Sequence, residues 1–97
     1  MESNYGEEAY NIGRDYHYGI NGKTKDYTEA IKWYKIASDK GNDRAQFNIG
    51  LLYFHGGFGV SKDYGQAELW FRKAKELGNY DATKYLNYMI QKGIIAK

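Results

Sequence analysis

The stretch AQFNIGLLYFHGGFGVSKDYGQAELWFRKAKELGN, Ala45 to Asn79, decides the fold, because the chain carries it almost twice. Set against itself at an offset of 37 residues, the sequence places Asn11 on Asn48, Ile12 on Ile49, Gly13 on Gly50, Tyr16 on Tyr53 and Gly19 on Gly56. The register continues through Asp26 and Asp63, Tyr27 and Tyr64, Ala30 and Ala67, Trp33 and Trp70, and Ala37 and Ala74. It closes on Gly41 with Gly78 and Asn42 with Asn79, then starts a third time where Ala45 meets Ala82. A gapless period of this size marks a stacked repeat, in which each unit buries its faces against its neighbours.

Ninety-seven residues bound the chain at one small domain or one short array. The net charge of +2 is modest, and Lys and Arg alternate with Asp and Glu along the chain. That spacing reads as solvated helix faces, whereas nucleic-acid binding calls for a clustered basic stripe. Cysteine is absent, which excludes a disulfide frame and a thiolate metal site and is compatible with a reducing cytoplasm. No apolar run approaches the length of a membrane span, and the N-terminus lacks a basic-then-apolar signal pattern. A soluble, unprocessed, cytoplasmic chain is the expectation. Proline is absent, while tyrosine occurs eleven times. Flat rings supply apolar area at small entropic cost, and a short helical array has little else to bury.

Periodicity predicts five helices. The first runs from about Tyr5 to Tyr18, with Ala9, Ile12, Gly13 and Tyr16 returning every three or four residues and Gly19 as a left-handed cap. Gly13 inside it costs about 1 kcal/mol relative to alanine. Its copy Gly50 sits at the same place, so a neighbouring helix is expected to cross close to the backbone there. Asp26 opens the second helix, which closes at Gly41 after Lys40. Asp26 with Glu29, and Asp63 with Gln66, have the spacing of a capping box. Asp43 or Asn42 caps the third helix, the fourth runs from Asp63 to about Leu77, and the last from about Asp81 to Gln91, stopping at Gly93. There Asn87 replaces the repeat's glycine, which fits a terminal element with no further helix to receive. Ile94 and Ile95 are expected either to pack back or to meet a partner, which leaves a homo-oligomer open.

The strings AQFNIGLLYFHG and GVSKDYGQAELWFRKAKELGN, and more weakly EAYNIGRDYHYG and KDYTEAIKWYKIASDKGN, resemble Sel1-like repeats, relatives of tetratricopeptide repeats. The second copy matches nearly the whole pattern of that family. In the first, Lys23 stands where the valine of the Gly-Val pair belongs. The resemblance implies an all-α fold, a short right-handed α-solenoid of about two and a half TPR-like helix-turn-helix repeats. It implies one domain over residues 1–97, with repeats at about 8–43 and 45–80 and a capping helix at about 81–92.

The same resemblance implies a concave face lined by the first helix of each pair. By position it carries Tyr10, Asn11, Arg14, His17 and Tyr18, then Arg44, Phe47, Asn48, Leu51, Phe54 and His55, then Lys84, Tyr88, Gln91 and Lys92. The aromatic members would anchor a partner's side chains and the basic ones would pair with acidic groups. In related domains an asparagine at the position of Asn11 and Asn48 holds a bound peptide's backbone, since an amide both donates and accepts. A helix-to-helix hydrogen bond explains these asparagines equally well. Likewise Phe47, Leu51 and Phe54 could serve only to pack the first-layer helices. Trp33 and Trp70 occupy matching positions and are expected at the repeat interface, as the largest buried side chains.

Other chemistry has little support. His17 and His55 sit at non-equivalent repeat positions with no third ligand indicated, so no metal is expected. HGGFG has the look of a phosphate loop but follows no strand. Ser3, Ser38 and Ser61 have no base indicated nearby, and Glu7 and Glu8 point apart on a helix. An enzyme is not expected, nor a cofactor. Some disulfide-rich Sel1-like proteins are credited with hydrolysis, but this chain has no cysteine. The reading is a non-catalytic protein-interaction module, and its start methionine with no attached domain points to a stand-alone adaptor. One alternative is a small inhibitor or immunity-type protein that blocks one effector, such as a toxin or nuclease. The other is single-stranded nucleic-acid binding through the stackable aromatics.

Overall fold

Helix boundaries follow from a few side chains used again at the same register. A computed structural model describes residues 5–97, and Ser3 lies outside the described residues. Its helices are α1 (Glu7–Tyr18), α2 (Tyr27–Asp39), α3 (Asp43–His55), α4 (Tyr64–Glu76) and α5 (Tyr80–Gln91). Asp26 and Asp63 cap α2 and α4 by accepting from Glu29 N and Gln66 N, each at 3.0 Å. Asn42 and Asn79 cap α3 and α5 by accepting from Ala45 N and Ala82 N, each at 2.9 Å. Each such cap is worth about 1 kcal/mol. α1 starts two residues later than its periodicity predicts, because Tyr5 and Gly6 both hold positive φ.

The expected capping boxes are only half formed. Asp26 N donates to Tyr16 O at 2.9 Å, and Asp63 N donates to Tyr53 O at 2.8 Å. A backbone carbonyl near the end of the preceding helix takes the donor that the box would have given to Glu29 or Gln66. Glu29 instead pairs with Lys32 at 3.0 Å.

The Gly-Asn pairs do two jobs in two residues. Gly41 and Gly78, at φ +88° and +91°, give the left-handed turn that closes α2 and α4. The next amides, Asn42 N and Asn79 N, return to Ala37 O and Ala74 O, completing a Schellman motif. The asparagine side chain then opens the following helix. This short corner holds successive helices antiparallel, and each packs chiefly on its neighbours in sequence.

Gly13 and Gly50 do occupy matching tight contacts. A Cβ at Gly13 would lie 2.6 Å from Cδ1 of Tyr34, and one at Gly50 would lie 2.6 Å from Cδ1 of Phe71. The object that approaches is an aromatic ring from the second helix of the same pair. This corrects the expectation for the tryptophans. Tyr34 and Phe71 are the fully buried rings, while their neighbours Trp33 and Trp70 are half-buried against the first core cluster. Trp70 does lie at the junction of the pairs, with Lys35 and Lys73 over its ring.

Two core clusters result. One joins α1, α2 and α3 through Tyr10, Ile31, Tyr34, Ile49 and Leu52. The other joins α4 and α5 through Phe71, Leu86 and Met89, with Phe47, Leu51 and Phe54 packed on it from α3. Ile94 and Ile95 fold back onto this second cluster, their amides donating to Met89 O, so they are not an exposed apolar end. Asn87 is exposed. The HGGFG segment covers the start of α2: Phe58 O accepts from Tyr27 N at 3.0 Å, and Thr28 Oγ1 donates to Gly59 O. No described helix is long and apolar enough to cross a membrane.

Candidate functional site

Four positions of the repeat meet where one pair stacks on the next, and the two copies fill them with opposite chemistry. At the first junction they hold Tyr10, His17, Tyr34 and Asn48. Asn48 Nδ2 donates to Tyr34 Oη at 3.3 Å and reaches Tyr10 Oη at 3.5 Å. His17 Nδ1 lies 2.9 Å from Tyr34 Oη. Since Tyr34 accepts from Asn48, its own proton is free to go to His17 Nδ1, which places the imidazole proton on Nε2. Burial, with the Lys25 charge adding, pulls the His17 pKa from 6.5 to about 4. Burial likewise pushes the Tyr34 phenol well above its ordinary value, although the Asn48 hydrogen bond works against this.

At the second junction the same positions hold Phe47, Phe54, Phe71 and Tyr85. Phe71 and Tyr85 have ring centroids 5.2 Å apart, Phe47 and Tyr85 5.6 Å, and Phe54 and Tyr85 5.6 Å. These spacings suit tilted and edge-on ring pairs. At these four positions the first junction is tied by directed hydrogen bonds and the second by ring contacts.

This difference sorts the residues expected on the concave face. Tyr10, His17 and Asn48 are buried, Asn48 bonding Tyr10 and both His17 and Asn48 bonding Tyr34, and His17 is only 8% exposed. Asn48 therefore makes a helix-to-helix hydrogen bond and is not a free peptide clamp. His17 stacks on Tyr18, centroids 4.3 Å apart, which leaves Tyr18 as an exposed lid. Asn11 is half-buried and Arg14 exposed. Arg44 lies 4.6 Å over the Tyr10 ring and 3.4 Å from Glu7, so its charge is already matched. Phe47 and Leu51 are half-buried against the second cluster, where α4 and α5 converge on that face of α3.

Four of the remaining predicted residues come together, while Gln91 is exposed and outside the lining. Phe54 and His55 at the end of α3 face Lys84 and Tyr88 on α5 across an open groove of about 360 Å³, with Tyr85 also in its lining. Lys92 Nζ lies 5.9 Å from the Tyr88 ring centre. Tyr88 is 46% exposed, whereas Phe54 is half-buried and touches Tyr64, Phe71, Tyr85 and Tyr88. Tyr85 was missed in the sequence, although the offset that pairs it with Asn48 points to it. His17 and His55 belong to different sites, and no three potential metal ligands converge among the described residues.

The family model for the Sel1 repeat matches residues 9–42 and 43–79, most of the chain. The chain belongs to the Sel1 repeat family. Solved Sel1 repeat structures share its architecture. One is a protective antigen of uropathogenic Escherichia coli with an SLR fold, 39% identical over 91% of this chain, with a TM-score of 0.82. Another is a Sel1 repeat protein from Oxalobacter formigenes, 35% identical over 91% of this chain, also with a TM-score of 0.82. This chain spans only 18% of the first and 35% of the second. No curated protein matches it. Sel1 repeats are protein-interaction scaffolds in general.

Proposed function

We propose that the chain works by docking a segment of another protein in the groove between α3 and α5. The observation that carries this is the mouth of the second junction: Phe54, Tyr85 and Tyr88 line about 360 Å³ that no side chain fills. That volume is at the small end for ligand pockets, enough to seat a large side chain, and the groove is lined by rings with a few polar groups at its edge. Aromatic anchors around a central depression are where binding energy concentrates. The corresponding place at the first junction is closed by hydrogen bonds, so docking centres on one end of the concave side.

Random dodecapeptides displayed on phage and selected on the protein test this. Enrichment is expected on the wild type and is expected to vanish on a Tyr88→Ala, Lys84→Ala double variant. Both side chains are exposed, so circular dichroism should show the fold unchanged. Phe47 and Phe54 are unsuitable targets because both pack on the second cluster. Peptides retained equally by the variant would place docking elsewhere and refute the proposal.

A further inference from the structure

The rim of this groove carries more positive charge than the whole chain has to spare. Lys84 and His55 line it, and Lys92 stands over the ring of Tyr88. Lys62 stands 5.5 Å over the ring of Tyr64, which itself lies 5.4 Å from Phe54. None of the lining residues is acidic. The ion pairs among the described residues are Lys32 with Glu29, Arg44 with Glu7 and Arg72 with Glu68, so Lys62, Lys84 and Lys92 have no carboxylate partner there. Three unmatched lysines at one groove exceed the net charge of +2 for all ninety-seven residues. Elsewhere the charges nearly cancel.

Geometry adds to charge. Lys62 and Lys92 sit 5.5 and 5.9 Å from the ring centres of Tyr64 and Tyr88. Lys84 sits 5.6 Å from the ring centre of Tyr80, one turn earlier on α5 and outside the groove lining. All three are within the range of a cation–π contact. Ammonium groups held this way stand beside an aromatic floor and need little ordering before they meet an anion. Apolar in the middle and cationic at the edges, the surface matches a segment with the opposite pattern.

We infer that the groove takes an acidic segment of a protein partner, with one aromatic or long apolar side chain seated among Phe54, Tyr85 and Tyr88 and flanking carboxylates on Lys84, Lys92 and Lys62. This rests on the docking proposal above and specifies its partner. Single-stranded nucleic acid shares the negative charge, but it binds along a track of several stacking platforms. Here the exposed rings, Tyr88 with Tyr64 and Tyr80 beside the groove, each carry a lysine over them, and the next cation along the concave side, Arg44, is paired with Glu7.

Sequencing the enriched dodecapeptides decides the matter. Sequences with net negative charge and at least one aromatic or large apolar residue are expected. One enriched peptide should lose affinity as salt is raised, and a Lys84→Ser, Lys92→Ser variant should bind it about fivefold more weakly, as two exposed ion pairs would give. The same peptide with its acidic residues changed to serine should no longer respond to salt. A neutral or basic pool, or an acidic peptide insensitive to salt, overturns the inference while leaving docking intact. No enrichment dependent on Tyr88 overturns both. A thymidine decanucleotide displacing the peptide at a lower concentration than the peptide's own binding constant overturns it in favour of nucleic acid.

Discussion

Acidification probes the buried cluster at the first junction, and His17→Phe is the matched comparison because phenylalanine already fills that position at the second. The native His17 has a pKa of about 4, against an ordinary value of 6.5 for the unfolded chain. Between those values the unfolded chain holds a proton that the native protein does not. Stability is therefore fully held above pH 6.5 and falls as the pH is lowered toward 4. A gap of about 2.5 pH units at about 1.4 kcal/mol each comes to roughly 3 kcal/mol. For a small domain with a total of about 5–15 kcal/mol this is a large share. Urea unfolding followed by circular dichroism, at neutral pH and near pH 4, measures it in both proteins. His17→Phe also leaves the Tyr34 hydroxyl without its acceptor, at a cost of about 1–3 kcal/mol, but that applies at both pH values and cancels. Carboxylate titrations common to both proteins cancel too. Wild type should lose about 3 kcal/mol more than the variant on acidification. Equal losses, within about 1 kcal/mol, would refute a desolvated imidazole bonded to Tyr34.

Tyr34→Phe reproduces the second junction's ring but strands His17 and leaves Asn48 only the 3.5 Å contact to Tyr10, so it should destabilise by about 1–3 kcal/mol in denaturant titration. Gly50→Ala drives a methyl to 2.6 Å from the Phe71 ring. The overpacking, about 1–3 kcal/mol, should outweigh the roughly 1 kcal/mol gained in helix propensity and lower the melting temperature. Asn79→Ala removes the α5 cap and the 2.9 Å bond to Asp43, and should cost about 1–2 kcal/mol, with amides at the start of α5 exchanging faster. Arg44→Ala should cost about 0.5–1 kcal/mol in denaturant titration, chiefly the cation–π contact on Tyr10, since its pair with Glu7 is exposed and long.

Spacing alone determined the helix pairs, their order and their corners. A cap such as Asn42 or Asp63 depends on a residue and the amide three positions later, and Gly41 on its own φ, so these are local facts that a sequence spells out. The offset of 37 residues then carries each local fact to its copy. Four residues of the groove lining, Phe54, His55, Lys84 and Tyr88, were named beforehand only through the resemblance to Sel1-like repeats. Tertiary structure alone decided how far each large side chain is buried. Tyr34 and Trp33 are adjacent and both large, yet Tyr34 fills the space that Gly13 leaves and Trp33 only flanks it. His17 and Phe54 share a register, but one is closed in by Tyr18, Tyr27 and Tyr34 and the other borders the groove. The physical reason is that a side chain's exposure depends on what the crossing helix brings to it, and that neighbour lies a helix or more away in the sequence. Repetition tells where a contact occurs; the partner residue tells whether it is a hydrogen bond, a ring pair or a vacancy for another molecule.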